Sequence, residues 1–114
     1  MITINGEEYP VKTGYGAIYL FCTRKNIEFY EWAERLGKSN FNKINNELID
    51  DLAELMLCFI ERGGGECHLS KLDIIDWIGE GNADKIISLL TESTGVSKNP
   101  EAAKKEAANS TLKG

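Results

Sequence analysis

Ile2-Thr3-Ile4-Asn5-Gly6-Glu7-Glu8-Tyr9-Pro10-Val11-Lys12 opens the chain with apolar and polar residues alternating around an Asn-Gly pair. A period of two puts alternate side chains on one face of a half-buried strand. Asn-Gly supplies the two positive-φ residues of a type I′ turn. The stretch therefore predicts a short β-hairpin. Two strands alone are marginal in water, so the hairpin must rest on other elements or pair with another chain. From the hairpin to about Thr94 the chain reads as helix. It is expected to be mainly α with a short N-terminal hairpin (α+β): a bundle of about five helices over residues 1–94, then a mobile polar tail over 95–114.

Gly14 and Gly16 mark a bend, and Ala17, Ile18, Phe21 and Cys22 lie on one face of a helix running to about Lys25. Asn26 suits a left-handed C-terminal position, with Ile27 folding back as its apolar contact. A second helix is expected over Glu28 to Leu36, with Phe29, Trp32, Ala33 and Leu36 sharing a face until Gly37 stops it. The strongest helical pattern runs from about Asn42 to Arg62, through Ile44, Leu48, Leu52, Leu55, Met56 and Phe59. Acidic residues early in this helix and Arg62 at its end suit the macrodipole. Gly63-Gly64-Gly65 ends it and reads as a flexible connector. Ser70 with Asp73 forms a near capping box for a fourth helix. That helix carries Leu72, Ile75 and Ile78 and runs out at Gly79 to Gly81. A fifth, from about Asn82 to Thr94, has Ala83, Ile86, Ile87 and Leu90 on one side.

Beyond Gly95, only Val96 and Leu112 are sizeable apolar residues. Glu101-Ala102-Ala103-Lys104-Lys105-Glu106-Ala107-Ala108 resembles partly helical spacers that have no face to bury.

At 114 residues the chain is long enough for one domain with one core. Its 42% hydrophobic and 27% charged content is that of a globular chain. A formal charge of -5 disfavours nucleic acid and anionic membranes as partners, both of which attract clustered Lys and Arg. A basic protein partner fits the charge. The three cysteines are too few and too scattered for a disulfide framework, and Cys22 and Cys58 fall within apolar helical stretches. The opening residues carry no signal-peptide pattern, and no apolar run approaches the roughly 20 residues of a membrane span. These features are expected of a cytoplasmic protein.

The candidates for chemistry are few. Cys67-His68 is the one adjacent pair of soft metal ligands, but zinc sites commonly use four ligands in paired spacings, and neighbouring side chains rarely meet as a nucleophile and base. A solvent-facing loop is the expectation. The triple glycine lacks the lysine and Ser/Thr of a phosphate-binding loop. Glu47, Asp50, Asp51 and Glu54 lack the Glu-x-x-His partners of a di-iron bundle and read as a solvated helix face, with docking of a basic partner as the alternative. Trp32 and Trp77 fit core packing. No catalytic constellation emerges, so an interaction role is expected, with no enzyme activity and no cofactor.

The order of elements resembles the small tail assembly chaperones of long-tailed, siphovirus-like phages and prophages. The hairpin stretch, the Gly-containing bend with Ala17 opening a helix, the long central helix ending in glycines, and Leu69-Ser70-Lys71-Leu72-Asp73-Ile74-Ile75-Asp76-Trp77-Ile78 carry the likeness over about residues 1–94. The resemblance implies a non-enzymatic protein of the host cytoplasm, absent from the mature virion. It would bind the tape measure protein, help recruit tail tube protein, and self-associate as a homo-oligomer. Such chaperones are often made in two lengths by frameshifting. Thr111-Leu112-Lys113-Gly114 can be encoded with the slippery run T-TTA-AAG. The interface is expected at Ile2, Ile4 and Tyr9, beside a free strand edge, and at Phe29, Tyr30 and Trp32 of the second helix. The rival readings are a structural phage protein (a minor tail or head-tail connector component) and a small metal-binding accessory or regulatory protein using Cys67-His68.

Overall fold

In a computed structural model of the chain, describing residues 1–39, 43–64 and 66–95, strands β1 (Ile2–Ile4) and β2 (Glu7–Tyr9) pair antiparallel. Ile2 faces Tyr9 and Ile4 faces Glu7 across a turn in which Asn5 and Gly6 have φ of 53° and 80°. Those are the left-handed conformations that a type I′ turn demands, and glycine adopts them without a Cβ penalty. Ile4 and Tyr9 are buried while Thr3 and Glu8 are exposed, so the alternation read from the sequence sets the register. Glu7 stays at the surface and accepts a hydrogen bond from the Tyr9 hydroxyl at 2.9 Å.

The described residues also form five helices: α1 (Tyr15–Lys25), α2 (Phe29–Gly37), α3 (Asn46–Arg62), α4 (Lys71–Trp77) and α5 (Ala83–Thr94). The expected mainly helical fold with an N-terminal hairpin is what the structure shows. Helices α1, α4 and α5 all pack on α3. Leu48, Leu52, Leu55, Met56 and Phe59 are buried as the stripe predicts, but so are Ala53, Cys58 and Ile60 off the stripe. A helix enclosed on most sides needs apolar residues on more than one face, and α3 has them. Truncating Leu52 to alanine would cost about 2–5 kcal/mol, because its neighbours cannot collapse into the space.

Several local signals decide where helices begin and end. Asn26 has φ 54°, its N–H bonds the Thr23 carbonyl at 3.2 Å, and the Ile27 N–H reaches back to the Cys22 carbonyl at 3.0 Å. This is the Schellman pair of bonds, with Ile27 packed on the core. Helix α3 begins at Asn46, not near Asn42. Asn45 is extended, and its side chain accepts from the Leu48 N–H at 2.8 Å. That cap satisfies an otherwise orphaned donor and fixes the start. Ile44 consequently lies outside the helix and is exposed.

The capping box at Ser70 and Asp73 forms with both bonds, at 2.9 and 3.2 Å. The buried face of α4 is nevertheless rotated from the expected one. Ile74, Trp77 and Ile78 are buried, Ile75 is half-buried, and Leu72 is 71% exposed. Positions 74, 77 and 78 share a helical face, and the bulk of Trp77 turns that face toward the core. Nor does the helix run out at Gly79. A π-helical turn over Ile78–Asn82 carries the chain into α5, and the Asn82 amide donates to the Trp77 carbonyl at 2.8 Å.

The hairpin is seated by the segment that leaves it. The Lys12 N–H donates to the Phe59 carbonyl at 3.1 Å, near the end of α3. A Cβ added at Gly63 would stand 2.2 Å from the Pro10 carbonyl oxygen. Gly63 is therefore a packing contact and not the flexible connector read from the glycine run; Gly65 lies outside the described residues. The Gly14 N–H donates to Ser93 Oγ at 2.9 Å, tying the start of α1 to the end of α5. The polar tail expected over 95–114 falls outside the described residues apart from Gly95. Among those described, no helix is long and apolar enough to cross a membrane.

Candidate functional site

Helix α2 is held by one deep anchor. Trp32 is 1% exposed and packs on Phe21 of α1, with ring centroids 4.7 Å apart and planes at 57°. A tilted pair at this separation is the favoured aromatic geometry. With Trp32 facing inward, the residues before it sit at the rim. Phe29 is 37% exposed and contacts Tyr15 of α1 at 5.7 Å, while Tyr19 and Tyr30 are 74% and 69% exposed. Between α1 and α2 lies an open groove of about 840 Å³, with Tyr15, Ile18, Tyr19, Ile27 and Phe29 among its walls. Glu28 and Glu31 line it too, and no basic side chain does.

The sequence-derived interface residues divide in this structure. Phe29 and Tyr30 are both at the surface, and Phe29 lines the groove while Tyr30 is not among its walls. Ile4, Tyr9 and Trp32 are buried in the core and offer no side-chain surface to a partner, because the hairpin's inner face and the Trp32 anchor are covered by this chain's own helices. Ile2 is half-buried against the same core. The structure adds Tyr15 and Tyr19. Their i, i+4 spacing on α1, off the face that buries Ala17, Ile18, Phe21 and Cys22, was the available signal.

The acidic cluster of α3 is solvated only in part: Glu47 is exposed, as a solvated face would have it, while Asp51 and Glu54 are largely covered. Asp51 has a side chain only 5% exposed, held by Arg35 at 2.9 Å and Lys25 at 3.3 Å. Asp50 pairs with Lys25 and, at 3.2 Å, with Lys71; Glu54 lies 3.6 Å from Lys71 and Glu47 3.5 Å from Arg35. Cations from α1, α2 and α4 thus close over carboxylates of α3. The hydrogen bond from Lys25 holds the Asp50 carboxyl below its usual range against the opposing effect of burial, with help from Lys71. Burial pulls the Lys25 ammonium down, but its bonds to Asp50 and Asp51 outweigh that and raise it. These carboxylates are matched by this chain's own cations.

Cys22 and Cys58 are buried free thiols, and Cys67 is exposed. Burial pushes the Cys58 thiol up to about 11 even with Arg24 nearby. At neutral pH it is a protonated, apolar-like side chain and not a nucleophile. His68 is exposed, with Nε2 3.5 Å from the Glu66 carboxylate. Among the described residues no group of three or more His, Cys, Asp or Glu could hold a metal ion.

A second apolar groove, about 640 Å³, lies between the start of α3 and the π-helical turn, with Ile44, Ile49, Ile78 and Ile87 among its walls. It carries no aromatic side chain. The α1–α2 groove, with its row of uncovered rings, is the better candidate for recognition, since aromatic residues concentrate binding energy at interfaces. Comparison with protein-family models, curated proteins and solved structures gave no match.

Proposed function

We propose that this protein is a tail assembly chaperone of a long-tailed phage or prophage, a non-enzymatic binder that shields apolar helices of the tape measure protein and assists recruitment of tail tube protein. The observation that carries the reading is the groove between α1 and α2, bordered by the uncovered rings of Tyr15, Tyr19 and Phe29, with Tyr30 exposed nearby in sequence on α2. A surface of uncovered rings next to a preformed hollow is what an amphipathic partner helix needs. The resemblance of residues 1–94 to the family supports the same role. In that role the protein works in the bacterial cytoplasm and is left out of the finished particle.

Co-expression tests the proposal. With the wild-type chain, a tape measure protein encoded beside it should move from the insoluble to the soluble fraction and co-purify. A Tyr19→Ser/Tyr30→Ser variant, altered only at exposed positions, should fold but lose that effect. If the large protein stays insoluble with wild-type chain present, the chaperone reading is wrong. Abundant protein in purified particles would instead favour a structural tail or connector component. The longer frameshift product belongs to the same proposal, and a codon other than TTA at Leu112 removes the slippery site.

A further inference from the structure

We infer that the α1–α2 groove takes an amphipathic helix whose apolar stripe is flanked by Lys or Arg. The inference rests on the interaction role proposed above and names the chemistry of the segment that fills the groove. Three observations carry it.

The first is charge. Glu28 and Glu31 are the charged residues lining the groove; both are exposed, and neither is within ion-pair distance of a cation among the described residues. Glu47, Asp50, Asp51 and Glu54 of α3, by contrast, each face a Lys or Arg of this chain. Among the described residues, these unmatched carboxylates therefore stand beside the uncovered rings of Tyr15, Tyr19 and Phe29. Opposite charge on a partner would steer its approach and fix its orientation. A partner flanked by carboxylates would meet two like charges.

The second is backbone availability. The groove walls are helices, and at the connection between them the Asn26 and Ile27 N–H groups are already bonded to Thr23 and Cys22. The Trp32 N–H is likewise bonded to the Glu28 carbonyl. An extended peptide gains affinity by adding main-chain hydrogen bonds to an open sheet edge, and these walls are not sheet. A helix arrives with its own main chain satisfied and offers only side chains. The third observation is size: about 840 Å³ is within the roughly 300–1,000 Å³ range of sites that enclose sizeable apolar groups. That is room for the anchors of a short amphipathic helix, with the ring of Tyr19 and the Tyr15–Phe29 pair along its sides.

The test uses the full chain and three fluorescein-labelled synthetic helical peptides sharing one Leu/Phe stripe: one flanked by Lys, one flanked by Glu, and one with the Lys-flanked composition scrambled. Fluorescence anisotropy reads their affinities. The Lys-flanked peptide should bind at least about tenfold more tightly than either of the others, and rising salt should erode that preference. Glu28→Gln/Glu31→Gln should weaken the Lys-flanked peptide about five- to tenfold, the scale of two exposed charge pairs, while leaving thermal stability unchanged. Tyr19→Ser should abolish binding of all three.

Equal binding of the Lys- and Glu-flanked peptides, or no response to the double Gln substitution, overturns the inference. So does binding that appears only after truncation at Gly95, which would make the chain's own C-terminal segment the occupant. A dimer that Tyr19→Ser converts to monomer in sedimentation would make the occupant a second copy and equally overturn it. The chaperone reading fails separately, on tape measure solubility: solubilisation that ignores Glu28→Gln/Glu31→Gln keeps the chaperone and sinks the charge rule.

Discussion

Two acidic regions of this molecule have opposite fates. On α3, four carboxylates within eight residues pair with Lys25, Arg35 and Lys71, and one of them, Asp51, is nearly sealed from solvent. At the α1–α2 groove, Glu28 and Glu31 stay exposed beside uncovered rings. The first region uses charge to join helices distant in sequence. The second leaves charge and apolar surface on display. Carboxylates close together in a sequence thus say little about their role until the cations facing them are known.

The largest expected effect comes from breaking the first region. Asp51→Ala leaves Lys25 and Arg35 half-buried without their shared partner. Removing one member of a buried pair costs about 3–5 kcal/mol, and the partial exposure of both cations brings the expectation to about 2–3 kcal/mol. For a domain of this size that lowers the thermal midpoint by roughly 10 °C, measurable by circular dichroism. An unchanged midpoint would mean that the network contributes nothing to folding.

Acid should reveal the same region more gently. The Asp50 carboxyl titrates lower in the folded chain than in the unfolded one, chiefly through its hydrogen bond from Lys25. The unfolded chain then binds more protons in that window, so this stabilisation is complete above the ordinary aspartate pKa of about 4 and is lost as pH falls through the lower folded value. Urea midpoints measured from neutral pH down to about 3 should fall for the wild type and fall less steeply for Asp50→Asn. Parallel curves would remove Asp50 from the linkage.

Thiol reactivity checks how tightly the α3 surroundings are sealed. With a maleimide at neutral pH, Cys67 should label at once, while Cys22 and Cys58 wait for unfolding because both are buried. Asp51→Ala should speed labelling of Cys58 in proportion to the stability lost. The smallest effects belong to the surface. Tyr30→Ser on the exposed side of α2 and Lys38→Ala, which removes the exposed pair with Glu34, should each shift stability by no more than about 0.5 kcal/mol in denaturant titrations. A larger loss at Tyr30 would mean that its ring is structural, and the contrast between the two regions would weaken.

Features fixed within a few residues were legible in the sequence. Asn5-Gly6 specifies its turn, Asn26-Ile27 its helix end, and Ser70 with Asp73 its capping box, because each depends on bonds spanning five residues or fewer. Burial decided by distant partners was not. Asp51 is buried because Arg35 and Lys25, 16 and 26 residues earlier, fold over it, and no pattern within α3 reveals this. The orientation of α4 depends on which of Leu72 and Trp77 meets α3, a choice that short apolar runs leave open. At the groove, the pattern of α2 alone marks Phe29 and Tyr30 but also Trp32, whose ring turns inward on Phe21. Tyr15 and Tyr19 escape such a pattern because they stand off the apolar face that defines α1.

The seating of the first strand pair also bears on how the chain folds as it is made. Pro10 lies against Gly63, Lys12 bonds Phe59, and Gly14 bonds Ser93, a separation of 79 residues. These residues leave the ribosome before their docking surfaces on α3 and α5 do, so they can reach their final place only once those later elements have been synthesised. Contacts of such long range slow folding, and a nascent chain halted before Ser93 would hold its opening segment without that last tether.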